Sequence, residues 1–337
     1  LMKNNTSSLE FSHFPVMLNE VIKISSPSKG GTYIDCTFGG GRYSRQLLKF
    51  SKTVVKGLDR DTNVKEIGKR LERQYPQRFK FYQTTFSELE IVTKDLVDVI
   101  VFDLGLSSIQ LDDLERGFSF KSNENLDMSM GLTNISAQDV INKLSELELR
   151  LIIKTLGEEK EATRIAKNIV KFRNEKTIIK VQDLVDIIEK SKKKNYASKI
   201  NPCTKTFQAL RIFVNKEITE LINGIINATK ILKPGGKILI VSFHSIEDKI
   251  VKYFFNNFSI NKSKPSRYFP AQDDSSTVLF DEYKNKVFKA SKKEIDQNKR
   301  SRSAKLRYAI RSKNKFVYPD ELVKKFEKYL NLEAINV

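Results

Sequence analysis

The stretch Asp35-Cys36-Thr37-Phe38-Gly39-Gly40-Gly41-Arg42 constrains this chain more than any other. It follows Thr32-Tyr33-Ile34, a short apolar run that reads as a buried strand. It precedes Tyr43-Ser44-Arg45-Gln46-Leu47-Leu48, where the apolar spacing turns helical. A strand that breaks into glycines and then a helix is the entrance to a nucleotide-type site: glycines let the backbone approach a ligand, and the helix end offers unpaired amides. The match to G-x-G-x-x-G is imperfect, because Ser44 stands where a third glycine belongs. Taken alone, the stretch fits a plain turn equally well.

The following segments favour the site. Val54-Val55-Lys56-Gly57-Leu58 reads as a second strand ending at Asp59, about twenty residues past the glycines, where a carboxylate meets ribose hydroxyls in a doubly wound sheet. A third strand is expected over 78–82, closing on Thr85-Phe86. A fourth, Val97 to Phe102, ends at Asp103-Leu104-Gly105. Polar groups thus recur at the carboxyl ends of successive strands, where open α/β sheets bind ligands.

The βα rhythm then stops. Residues 107–130 read as a long polar-aromatic loop, and 136–194 as helices near 136–143, 146–156, 158–173 and 181–192, with Ser145, Glu148 and Gly157 as cap signals. A long helix is expected from Thr206 to Leu232, stopped by Pro234-Gly235-Gly236. A fifth strand over 237–243 ends at His244-Ser245, and a helix runs from Ile246 to Phe258. Residues 259–285 read as loop. Late strands at 287–289 and 305–310 form an antiparallel closing pair around Asn298-Lys299-Arg300-Ser301-Arg302-Ser303, a loop suited to phosphate contacts. A helix also opens at His13 and runs to about Ile24; the tail from Ser312 reads as an exposed helix.

The expected architecture is therefore α/β, a doubly wound Rossmann-like sheet with an inserted all-helical domain. The sheet domain takes 11–111 and 203–312, the helical insertion 112–202, and a C-terminal tail 313–337. A formal net charge of +19 calls for a polyanionic partner, nucleic acid ahead of a membrane surface, because no strongly amphipathic basic helix stands out. No apolar run is long enough to span a bilayer, and the first residues lack a secretory pattern. Cys36 and Cys203 are the only cysteines, so neither a disulfide framework nor a zinc cluster is indicated, and a reducing cytoplasm is the expected setting.

The motifs His13-Phe14-Pro15-Val16-Met17-Leu18, Asp35 to Gly41, Gly57-Leu58-Asp59-Arg60-Asp61 and Asp103-Leu104-Gly105-Leu106-Ser107-Ser108 carry a resemblance. So do Gln110-Leu111-Asp112, Glu115-Arg116-Gly117-Phe118-Ser119-Phe120, Phe207-Gln208-Ala209-Leu210-Arg211-Ile212, Ser242-Phe243-His244-Ser245 and Arg300-Ser301-Arg302-Ser303-Ala304-Lys305-Leu306-Arg307. In this order, over about residues 11–311, they resemble the ribosomal RNA small subunit methyltransferase H family. That family moves a methyl group from S-adenosylmethionine to the exocyclic N4 of a cytidine in the decoding region of 16S rRNA.

The resemblance implies S-adenosylmethionine as cofactor and 16S rRNA within the small subunit as partner, with no metal and no membrane. Oligomeric state stays open, a homodimer among the options. By the same resemblance Gly40, Gly41 and Arg42 line the methionine and ribose end of the cofactor, and Asp59 takes the ribose hydroxyls. Phe86, Asp103 and Gln110 complete the contacts. The chain departs from the family at Arg42 (usually histidine), Ile109 (proline), Ser129 (arginine) and Lys299 (proline). Arg116 and Arg211, within the quoted motifs, and Arg300, Arg302 and Lys305, in the arginine-rich stretch, are candidate RNA contacts.

Amino methylation asks for alignment of nitrogen, methyl carbon and sulfur, and for an acceptor on the amine hydrogens. Asp103 is the candidate for that role, or for holding the cofactor alone. His244, at the end of the fifth strand, is a second substrate-side candidate, ranked above His13. Phe118, Phe120 and Phe243 are candidates to stack on an unstacked base. A nicotinamide oxidoreductase would share the glycine turn but not need the arginine-rich loop. An assembly factor would not need strand-end acids beside glycines. A DNA amino-methyltransferase would ordinarily show an Asn/Asp-Pro-Pro-aromatic run at Asp103-Leu104-Gly105-Leu106.

Overall fold

A computed structural model describes residues 16–192, 201–260 and 278–337; His13 and the greater part of the expected 259–285 loop lie outside them. The first helix is α1 (Leu18–Ser25), followed by β1 (Gly31–Asp35), α2 (Arg42–Leu48), β2 (Thr53–Asp59), α3 (Lys65–Gln74) and β3 (Phe79–Gln83). Next come α4 (Leu89–Val92), β4 (Val97–Asp103) and a single turn α5 (Ser108–Asp112). Helices α6 (Ala137–Lys143), α7 (Glu146–Leu156), α8 (Ala162–Glu175), α9 (Val181–Ser191), α10 (Thr204–Asn215) and α11 (Glu217–Ile231) lead to β5 (Leu232–Ser242). The chain closes with α12 (Ser245–Asn257), β6 (Phe288–Lys289), α13 (Lys292–Gln297), β7 (Lys305–Ile310) and α14 (Asp320–Glu333).

Two compact units result. The first holds the described residues within 1–59, 63–108 and 224–319. Its sheet has the order β3-β2-β1-β4-β5-β7-β6, with the first five strands parallel and β7 antiparallel to both β5 and β6. Starting from β1, the chain builds outward through β2 and β3, then returns to the other side of β1 with β4 and β5. That reversal is the switch point of a doubly wound sheet, where a crevice opens at the strands' carboxyl ends. Val99, Ile100, Val101 and Phe102 are all buried, the near-continuous apolar run that a strand covered on both faces requires.

The second unit holds the described residues within 60–62, 109–223 and 320–337 and is helical. Helix α7 packs on α8, α10 and α14. Ser136 and Ser145 open α6 and α7 with reciprocal capping boxes to Asp139 and Glu148. This unit takes in α10, the first part of α11 and α14, beyond the 112–202 expected from sequence.

Three local expectations change. The single helix expected over 206–232 is two, broken at Lys216, which is left-handed at φ 49. Asn215 drives the break: its side chain accepts from Met130 N at 2.9 Å and donates to Met128 O at 2.8 Å. The fifth strand begins at Leu232, so Pro234-Gly235-Gly236 forms an irregularity within it, where the register against β4 shifts between Val97 and Val99. The tail is no bare exposed helix: Leu322, Phe326, Tyr329 and Leu332 of α14 are buried, and Glu333 accepts from Ile218 N and Thr219 N at the start of α11.

Candidate functional site

The first unit collects its polar groups where β1 leaves the sheet. Cys36 N donates to Val101 O at 2.9 Å and Phe38 N to Leu58 O at 2.8 Å, so the exit from β1 is stitched to β4 on one side and β2 on the other. Thr37 Oγ1 accepts from Asp103 N at 2.7 Å, and Asp59 Oδ2 accepts from Gly39 N at 2.7 Å. Asp59 and Asp103 thus flank the glycine turn and fix its backbone.

The glycines divide the work. Gly41 is left-handed at φ 72, and a Cβ there would lie 2.6 Å from the Phe38 ring, which also fills the space beside Gly57. This glycine serves packing. At Gly40 a Cβ would meet nothing within 4 Å, so open space lies against its backbone. Gly40→Ala is therefore silent for the free protein, with a melting temperature within about 1–2 °C of the parent. A ligand seated against that backbone would lose affinity by tenfold or more, as calorimetric titration with S-adenosylmethionine would read.

Ser44 explains the imperfect glycine pattern. It is fully buried, and its Oγ donates to Asp35 Oδ2 at 2.7 Å. Burial pushes the Asp35 carboxyl up to about 6, against the hydrogen bonds from Ser44 and Thr37 that draw it down. A raised carboxyl contributes stability that is complete below its unfolded value near 4 and is lost as pH rises through about 6. Asp35→Asn should remove that component, on the order of 3 kcal/mol between pH 4 and 7.5. Denaturant midpoints of parent and variant at the two pH values should show the smaller pH-dependent loss in the variant.

Asp103 is perturbed in the same direction. Burial first, then the charges of Asp35, Glu247 and Glu294, push its carboxyl well above the ordinary range. Its Oδ1 is sealed from solvent and has no hydrogen-bond partner among the described residues. Such an orphan is costly unless something binds it. Tyr43, buried beside these acids, has its phenol pushed up by burial and by Asp103, Asp35 and Glu294, so it stays protonated and donates to Val16 O. Glu294 of α13 accepts from Met17 N at 2.6 Å. Asp35, Tyr43, Glu247 and Glu294 were not marked as site residues in the sequence, because only tertiary contacts bring their charges to bear on Asp103.

Arg42 begins α2, half-buried, with its guanidinium held below its ordinary value by burial. Phe86 stands edge-on to Phe102 at 5.4 Å and fills the space beside Gly224. Phe243 lies beside Gly105, at 3.6 Å from a Cβ built there.

His244 has a structural role in this loop, and its Nε2 is buried with no hydrogen-bond partner among the described residues. It caps α12, with Nδ1 accepting from Glu247 N at 3.5 Å and Nε2 lying 3.1 Å from Glu247 Oε1. Glu247 returns bonds to Phe243 N and His244 N, which makes this pair the anchor of the loop after β5.

A match to the model of the MraW methylase family runs over residues 10–312. The chain belongs to the MraW methylase family. Relatives named ribosomal RNA small subunit methyltransferase H include one from Bartonella bacilliformis, 43% identical over 300 residues, covering 89% of this chain and 90% of the relative. A second, from Bartonella henselae, is 42% identical over 308 residues, with 91% and 88% covered. A third, from Rickettsia massiliae, is 43% identical over 308 residues, with 88% and 97% covered.

In this methylase-family chain, the second unit holds several residues the sequence marked for ligands, and it uses them internally. Asp61, 1% exposed, accepts from Gln110 Nε2 at 2.8 Å and from Arg116 Nη1 at 2.5 Å. Arg116 also donates to Ser129 O at 2.8 Å and lies over the Phe118 ring, which is buried. Arg116 is thus a structural tie around Asp61 and not a surface contact, and Phe118 is core. Phe120 packs edge-on against Phe207 at 6.2 Å. Arg211 makes two bonds to the Glu217 carboxylate, at 2.8 and 2.9 Å, with both side chains largely buried. In the first unit, Lys305 and Arg307 share the carboxylate of Asp248, each at 2.8 Å. Arg300 and Arg302 lie exposed on the 3-10 turn Lys299–Ser303, so of the five RNA candidates these two best keep the surface position that phosphate contacts require. Among the described residues no helix is long and apolar enough to cross a membrane.

Proposed function

We propose that this chain methylates the exocyclic N4 of a cytidine in the decoding region of 16S rRNA in the small ribosomal subunit, with S-adenosylmethionine as donor. The observation that carries the reading is the sealed Oδ1 of Asp103 at the switch point, without a hydrogen-bond partner among the described residues, together with the open space against the Gly40 backbone. Membership of a methylase family supports methyl transfer, and the names of the relatives support small-subunit rRNA as acceptor.

The residues present fit the cofactor. Gly40 leaves room against the backbone, and Asp59, at the end of β2, has the position that meets ribose hydroxyls. The carboxyl groups of Asp35, Glu247 and Glu294 act together on the buried Asp103, a concentration of negative charge that favours a cation nearby. S-adenosylmethionine supplies a methyl group already activated on a positively charged sulfur.

The protein supplies what remains. The amine's lone pair is delocalised into the cytosine ring, so an acceptor on its hydrogens helps localise it. Asp103 takes that role: its backbone is pinned by Thr37 and its free Oδ1 accepts from the amine, then draws off the departing proton. Phe243, half-exposed next to Gly105, is the aromatic surface for the unstacked base.

Incubation with labelled S-adenosylmethionine and small subunits lacking the modification should place label in 16S rRNA. Label confined to ribosomal protein, or its absence despite measurable cofactor binding, would overturn the reading.

A further inference from the structure

A groove of about 860 Å³ opens at the β3 edge of the sheet, lined among others by Lys69 and Arg73 of α3 and by Lys56, Phe79, Lys80 and Tyr82 of β2 and β3. Its β2 lining runs from Val54 to Lys56, three to five residues before Asp59, and on β3 Tyr82 pairs in register with Leu58. Among the described residues, β3 is the outermost strand of the sheet at this end and pairs with β2 alone.

The charge of the groove is built in. Lys69 and Arg73 line it from α3 and, with Lys65 one turn before them outside the lining, follow at four-residue spacing on one helix face. Like charges at this spacing destabilise a helix, so the stripe has a cost that internal contacts do not return. Gly68 has no side chain because the Phe81 ring occupies its place, at 2.3 Å from a built Cβ, which fixes α3 against β3. The acids present do not neutralise the groove. Glu72 is turned inward to accept from Phe81 N at 2.7 Å, and Glu66 reaches Lys69 at 3.7 Å with both side chains more than half exposed, a pairing worth little in water. Arg78 is committed internally, donating to Phe50 O at 3.0 Å and covering the Tyr75 ring. Arg73 makes no ion pair among the described residues, and Lys80 has only the face of Tyr82, at 5.2 Å from its centre.

We infer that this groove is a second RNA-contact surface, gripping a run of phosphates of the RNA whose base is methylated elsewhere on the first unit. The inference rests on the RNA-substrate reading. Several cations along one groove suit successive phosphates of a polyanion better than a single small anion. Tyr82, which the Lys80 ammonium covers, adds an aromatic surface to the lining, and the net charge of +19 has the matching sign.

The test replaces Lys69, Arg73 and Lys80 together by glutamine in the full chain. All three are exposed, so cofactor affinity and melting temperature should match the parent. Binding of a 16S rRNA fragment containing the decoding region is followed by fluorescence anisotropy between 50 and 200 mM salt. Loss of three phosphate contacts should weaken binding at least tenfold and reduce the slope of log affinity against log salt by about 2. With small subunits as substrate, KM should rise while kcat holds. Unchanged affinity, slope and KM would overturn the groove, whether or not an acidic peptide binds it. The two readings separate cleanly. If the parent shows the steep salt dependence and the variant loses it while no methyl group reaches RNA, the groove stands and the substrate reading falls.

Discussion

Asp103→Asn should lower kcat by about 10²–10³-fold, the range in which a positioned proton acceptor acts, while cofactor affinity stays within about tenfold of the parent. The substitution keeps the size of the side chain and the Asp103 N bond to Thr37 Oγ1. It removes the ability to accept a proton. The pH profile carries the sharper signature. The acceptor is the ionised carboxyl, and burial together with Asp35, Glu247 and Glu294 holds Asp103 protonated well above the ordinary carboxylate range. The rate of the parent should therefore climb with pH, about tenfold per unit below the raised value, and level off above it. The asparagine variant should lack that limb. Single-turnover methyl transfer at fixed, saturating cofactor measures both. A variant that keeps kcat but loses cofactor affinity would restrict Asp103 to holding the cofactor.

Asp59→Ala should act on the other side of the turn. It removes a charged acceptor from Gly39 N and with it the brace that holds the glycine backbone. A hydrogen bond to a charged group contributes about 1.5–3 kcal/mol, so the cofactor Kd should rise by about ten- to a hundredfold from this contact alone. Loss of ribose contacts would add to that. The kcat at saturating cofactor should change little, because Asp59 braces and binds but does not meet the reacting atoms. Calorimetric titration paired with steady-state kinetics distinguishes the two variants: Kd moves with Asp59, kcat with Asp103. A shift in kcat alone for Asp59→Ala would contradict this division.

The sheet was legible because strands buried on both faces announce themselves as apolar runs, and their ends as the polar residue that follows. Asp59 and Asp103 are such residues, and the structure sets them on either side of the glycine turn. Ser44 looked like a flaw in a glycine pattern, since nothing local signals that its hydroxyl meets Asp35 inside the core. Arg116 and Gln110 looked available to ligands, since charge and amide groups in a loop usually are; their engagement with Asp61 spans 55 and 49 residues of sequence. The break after Asn215 was hidden for the same reason, because the bonds that impose it reach Met128 and Met130. His244 was read as a substrate-side candidate, yet its spacing to Glu247 is that of a capping box. The α14 apolar face could be read from Leu322, Phe326 and Tyr329, but a short amphipathic tail gives no sign of what it will cover.

The most direct test of the central claim is nucleoside analysis of 16S rRNA after reaction with the parent chain and labelled S-adenosylmethionine, on small subunits lacking the modification. The label should co-migrate with N4-methylcytidine from the decoding region and appear about 10²–10³-fold more slowly with Asp103→Asn. Label in 5-methylcytidine, in another base or in a ribose would contradict transfer to an exocyclic amine guided by Asp103.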